Sequence, residues 1–261
     1  MSGRNSRENR RRALDEARQA KQRRKRRLRL AAWAGAVVVV AGAGLGVGLG
    51  LSGSGAGSGP VAGAGGTASY GPISSLGTLT AAPAPGSLGP ENVPIPSAPV
   101  LAGTSASTAG QAIDGIGCQT SEQTVFHIHT HLTIFVNGQQ RQVPAGIGIP
   151  GAVAQQTQAG PFVDSGSCFY WLHTHAADGI IHIESPVQRT YTLGEFFDEW
   201  GQPLGPDQVG QAHGKVTVIV NGQVFKGSPR DVPLGSHENL QVEVGTPLVA
   251  PETINWSSTG L

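Results

Sequence analysis

Between Val125 and Val136 apolar and polar side chains exchange at every second position. Phe126, Ile128, Leu132, Ile134 and Val136 fall on one side, and His127, His129 and His131 on the other. A period of two is the mark of a strand with one buried face. A second patterned stretch runs from Cys168 to Glu184, where two apolar and aromatic runs flank Asp178-Gly179. That dipeptide favours the positive φ angles of a tight hairpin turn. Trp171, His173 and His175 then share a face. A two-residue loop sets His175 opposite His182 and His173 opposite Glu184; a four-residue loop sets His173 opposite His182. In either register three histidines and a carboxylate occupy one face of one hairpin.

The other elements are mostly strands. Asn137-Gly138 should turn the first strand into a partner near Gln140–Val143, and residues 144–166 read as a long loop rich in Gly, Pro and Gln. Thr192-Leu-Gly-Glu195 is a capping-box pattern. It opens a short helix with Leu193, Phe196, Phe197 and Trp200 at helical spacing, stopped by Gly201. Lys215–Val220, Asn221-Gly222 and Gln223–Phe225 form a further hairpin, and Asn239–Val244 a last strand. Leu132–Gln139 and Val216–Gln223 echo each other, by duplication or by convergence on hairpin chemistry. The tail, 249–261, reads as loose.

What precedes this domain is different in kind. Thirteen of the eighteen Lys/Arg and three of the seventeen Asp/Glu lie within residues 1–29, leaving five basic and fourteen acidic residues beyond them. The net charge of +1 therefore conceals a strong segregation. The basic run abuts an uncharged apolar stretch, residues 30–51, which argues for a cytoplasmic membrane flank and against a nucleic-acid-binding arm. About 22 residues suffice to cross a bilayer as a helix. A cleaved signal peptide is the competing reading, but its apolar region is ordinarily shorter. The chain is thus expected to be anchored in the cell membrane, N-terminus cytoplasmic and C-terminal domain extracytoplasmic. Gly42, Gly46 and Gly50 stand four apart, a spacing that lets two membrane helices form a homodimer; Gly/Ala-rich composition produces the same spacing by chance. Residues 52–115 are Gly, Ala, Ser, Pro and Thr with few charges, and read as a disordered linker.

The expected fold class is therefore mainly β: one extracytoplasmic antiparallel domain over residues 116–248 with a short helix, preceded by a transmembrane helix and a linker. The two cysteines, Cys118 and Cys168, both belong to this domain, and in an oxidising compartment they are most simply a disulfide. The alternative, a thiolate metal or redox site, lacks a Cys-x-x-Cys motif.

Six of the eight histidines sit on these two strand units, with Glu184 beside them. Same-face strand positions are about 6.5–7 Å apart, so His127, His129, His131, His173, His175, His182 and Glu184 form a candidate metal site. Imidazole suits zinc and copper. The single methionine is Met1, which excludes a Met-lined copper(I) site, and a blue-copper centre would need a free thiolate. Three functions fit. The first is a copper- or zinc-binding protein that sequesters, delivers or senses metal. The second is a metalloenzyme using copper and oxygen or zinc-activated water, with Glu184 as general base or as a partner that orients a ligating histidine. The third is a metal-free, pH-responsive binding face.

Tyr170-Trp-Leu-His173-Thr-His175 followed by Asp178-Gly179 resembles the His-x-His segment of multicopper oxidases over about a dozen positions. That resemblance implies a copper ligand role for His173 and His175. His-x-His with a third histidine on an adjacent strand is similar in geometry to α-carbonic anhydrases and cupins. As a whole the chain resembles membrane-anchored, His-rich exported proteins of high-GC bacteria.

Overall fold

The computed structural model describes residues 68–105, 107 and 109–261. The expected membrane helix (30–51) and basic tail lie outside the described residues. Among the described residues no helix is long and apolar enough to cross a membrane.

The fold is mainly β, organised around one eight-stranded sheet. Its strands are β1 (Tyr70–Pro72), β3 (Phe126–Val136), β4 (Gln139–Arg141), β8 (Leu172–His173), β9 (Ile180–Ser185), β12 (Val216–Val220), β13 (Gln223–Phe225) and β14 (Glu238–Val244), in the order β1-β13-β12-β14-β3-β9-β8, with β4 also on β3. Both Asn-Gly pairs turn as expected. Asn137 and Gly138, like Asn221 and Gly222, all have positive φ, and they pair Val136 with Gln139 and Val220 with Gln223. Contrary to a purely antiparallel domain, β14 and β3 run parallel, from Thr130 opposite Glu238 to Val136 opposite Val244. The first long strand and the last one are far apart in the chain, and a parallel pairing of this kind is one that no local turn encodes.

Period-two alternation gives the sheet two unlike faces. On one, Leu132, Ile134, Ile181, Ile183, Leu240 and Val242 are buried against helix α1 (Leu193–Trp200). Leu193, Phe196, Phe197 and Trp200 of α1 are all fully buried. The helix begins at the expected capping box: the Thr192 hydroxyl accepts from the Glu195 amide and the Glu195 carboxylate from the Thr192 amide. It ends at Gly201 in the left-handed conformation, φ 69°. The opposite face carries the histidines at one end and Thr133, Phe135, Gln241 and Glu243 at the other.

That second face is covered by segments expected to be unstructured. From residue 68 the expected linker follows a defined path: β1 extends the sheet beside β13, and Glu91 and Val93 are buried. The segment lacks enough apolar area for a core of its own, but it borrows the sheet's. The tail likewise docks. Val249 is buried, its amide donates to Glu243, and the Glu252 amide donates to Gln241. A short helix, α2 (Trp256–Thr259), lies close to the C-terminus. The expected loop 144–166 contains a hairpin, the exposed β5 (Val153–Thr157) with β6 (Gly160–Ser165), of which Val163 is buried.

Cys118 and Cys168 form the expected disulfide, with Cα atoms 5.5 Å apart. It ties β2 (Cys118–Gln119) to β7 (Phe169–Tyr170), and so joins the approach to β3 to the start of the histidine hairpin.

Candidate metal centre

Three adjacent strands build the site. β9 lies between β3 and β8, so His182 is directly opposite His129 on one side and His173 on the other, and Glu184 is opposite His127. The wider of the two expected hairpin registers is therefore the one formed. The reason lies outside the hairpin. After His173 the chain leaves β9: Thr174 bonds the backbone at Gly146 and Ile147, and the His175 carbonyl accepts from the Val163 amide. Gly179 is drawn to β3 instead, its carbonyl accepting from the Leu132 amide.

The side chains converge around His182. Its ring centroid is 4.5 Å from those of His129 and His175 and 5.4 Å from that of His173. On one flank His127 Nε2 lies 3.0 Å from both His129 Nε2 and Glu184 Oε1. On the other, His173 Nε2 and His175 Nε2 are 3.2 Å apart. Two ligand nitrogens on one ion, each about 2.0–2.1 Å from it, are separated by about 2.8–3.4 Å for angles between a right angle and tetrahedral. Both pairs fall in that interval.

The second pair carries a sharper signal. A carbonyl oxygen only accepts, so His173 Nδ1, 2.9 Å from the Tyr170 carbonyl, bears the proton. His175 Nδ1 likewise donates to the Val163 carbonyl. In their neutral forms both Nε2 atoms are bare lone pairs, facing one another in a buried site. Two lone pairs at that distance repel unless a cation lies between them. This is the usual arrangement of a metal-binding histidine, whose other nitrogen is fixed by a backbone or carboxylate acceptor.

His182 is held in the same manner by a carboxylate. Its Nε2 lies 2.7 Å from Glu91 Oε1, while its buried Nδ1 faces Glu184 Oε1 at 3.4 Å. Glu91 belongs to the proline-rich segment expected to be linker, so the sequence reading missed it. Its one available signal was its charge, since Glu91 and Asp114 are the only charged residues between 52 and 115.

Electrostatics prepares most of these groups for metal. Burial, with His182 and His127 nearby, lowers His129 to about 3. Burial and its histidine neighbours hold His173 well below the usual range, and His175 is lowered for the same reasons. These rings are neutral at pH 7, the form that coordinates. His182 is the exception. Burial opposes its charge, but hydrogen bonds to Glu184 and Glu91 outweigh burial and raise it to about 9. Burial would raise Glu184 too, yet hydrogen bonds from His127 and His182 hold it far below the carboxylate range. A cation arriving at His182 Nδ1 therefore displaces a proton and meets an ionised carboxylate.

The donors, all buried except the exposed His127, form two sets whose ligand atoms lie within 4.8 Å of one another: His127, His129, His182 and Glu184; and His173, His175, His182 and Glu184. The arrangement is close enough to hold a metal ion. His131 belongs to neither set. It shares the strand face, but its Nε2 lies 3.1 Å from the Asp178 carbonyl at the hairpin turn, and burial lowers it to about 4. It lines a separate cleft of about 200 Å³ together with Asp178, Arg141 and Ile254. Glu122, whose Oε1 is 3.6 Å from His175 Nε2, joins the rim of the second set. Compared with known proteins, the chain matches no family model, no curated protein and no solved structure.

Proposed function

We propose that this protein is a membrane-anchored, extracytoplasmic metal-binding protein that sequesters, delivers or senses copper(II) or zinc(II) through its strand histidines. The observation that carries the reading is the buried His173–His175 pair, with both Nδ1 protons committed to backbone carbonyls and both Nε2 atoms converging at 3.2 Å. The donor set is all imidazole and carboxylate, and the described residues contain no free cysteine. That chemistry suits zinc(II) and copper(II) and disfavours the softer copper(I). The uncharged apolar stretch at residues 30–51 and its basic flank support the anchored placement.

The test is calorimetric titration of the purified full chain, first stripped with chelator, with Cu(II) and Zn(II) separately. Alongside it, elemental analysis compares the protein as isolated with a His173→Ala/His175→Ala variant. Binding tighter than micromolar, lost or strongly weakened in the variant, is the expected result. A stripped, folded protein that takes up neither ion below about micromolar concentrations would end the metal-binding reading.

A further inference from the structure

Resting on that metal-binding reading, we infer that the cluster is a dinuclear centre: one ion on His127 and His129, a second on His173 and His175, with Glu184 bridging and His182 between them. The first ground is distance. The two four-residue donor sets overlap only in His182 and Glu184, and neither takes in both His-x-His pairs within 4.8 Å. Ligands of a single ion at about 2.0–2.1 Å cannot lie more than about 4.2 Å apart, even when trans. One central ion therefore cannot gather both pairs without rebuilding the strands, whose register is set by the β3, β9 and β8 ladders.

The second ground is the cost of half-occupancy. An ion on the His127–His129 side leaves His173 Nε2 and His175 Nε2 facing at 3.2 Å with no shared proton and no cation. On the other flank the exposed His127 has its Nε2 3.0 Å from both His129 Nε2 and Glu184 Oε1, so a single proton there is what an ion would replace. Buried polar atoms are ordinarily satisfied. The His173–His175 pair reaches that condition only with an ion of its own.

The third ground is Glu184. Its Oε1 faces His127 and His182, while Oε2 is buried with no hydrogen-bond partner. A carboxylate that belongs to both donor sets and keeps one oxygen unpartnered is the natural bridge between two divalent ions. Glu91 on His182 and Glu122 beside His175 supply further negative charge against the two dications. The second oxygen of Glu91 is also buried without a partner.

The experiment is a count. Metal-free full-length protein is loaded with excess Cu(II), desalted, and analysed by native mass spectrometry and by spin-counting electron paramagnetic resonance. We expect two copper ions per chain, with fewer than two full spins or a half-field line from coupling through Glu184. A His127→Ala/His129→Ala variant should bind one copper and give one full, uncoupled spin. Near-ultraviolet circular dichroism checks that the variant is folded, and the wild-type count decides even if it is not. Saturation of the wild type at one ion overturns the dinuclear assignment while leaving metal binding intact. So does a folded variant that still binds two. No copper and, in a parallel count, no zinc in the wild type removes the underlying reading instead. With zinc as the probe, one ion or two is read from mass alone.

Discussion

Replacing Glu91 by alanine should destabilise the metal-free protein strongly near pH 6 and weakly near pH 10. Glu91 and His182 have side chains that are 5% and 6% exposed, and their 2.7 Å contact spans ninety-one residues of chain. His182 is raised from 6.5 to about 9 in the folded state. A raised histidine contributes stability that is fully present below its unfolded pKa and is lost as pH climbs through the folded value. The window here is therefore about pH 6.5 to 9. Removing one partner of a buried ion pair costs about 3–5 kcal/mol. Glu184 remains beside Nδ1, which places the expected loss at the lower end, about 3 kcal/mol at pH 6. Above pH 9 the ring is neutral and what is lost approaches a single hydrogen bond, about 1 kcal/mol. Guanidinium unfolding of the chelator-treated full chain at the two pH values gives both numbers. A loss below about 1 kcal/mol at pH 6, or the same loss at both, would refute a charged His182 held between two carboxylates.

Other expectations concern the scaffold. Glu199 is fully buried in α1, and burial followed by the nearby Glu195 and Asp114 raises it well above 4.5. Its raised pKa means that stability falls as pH rises above 4.5, so Glu199→Gln should stabilise the protein at pH 7 by about 1–3 kcal/mol and flatten that slope. Replacing both Cys118 and Cys168 with serine opens a loop of sequence separation 50. Chain entropy sets the cost at about 4 kcal/mol, read from denaturant midpoints under oxidising conditions. At Gly179, φ is +84° and an added Cβ would lie 2.3 Å from the Leu132 carbonyl. Gly179→Ala should therefore cost about 1–3 kcal/mol or more and weaken metal binding by shifting β9 against β3, both measurable on one preparation.

The strand pattern in the sequence already contained the two faces of the sheet. Period-two alternation is local, so His127 and His129 had to oppose Ile128 and Leu132 whatever the strands paired with. The Asn-Gly turns, the Thr192–Glu195 cap and the position of α1 are equally local, and the structure forms each of them. The disulfide followed from counting two cysteines. What the sequence left open were the outcomes decided by contacts far apart in the chain. Two hairpin registers were compatible with Asp178-Gly179, and bonds from Thr174 and His175 to the segments at 146–147 and 163 selected the wider one. His131 had the right spacing but met the Asp178 carbonyl at the turn. Glu91 carried no local signal, because a lone acid in a proline-rich segment looks solvated until the sheet provides a buried cation for it. Local periodicity determines which side a residue faces; only tertiary packing determines what stands opposite, and a metal centre assembled from three strands and a distant segment depends on the second.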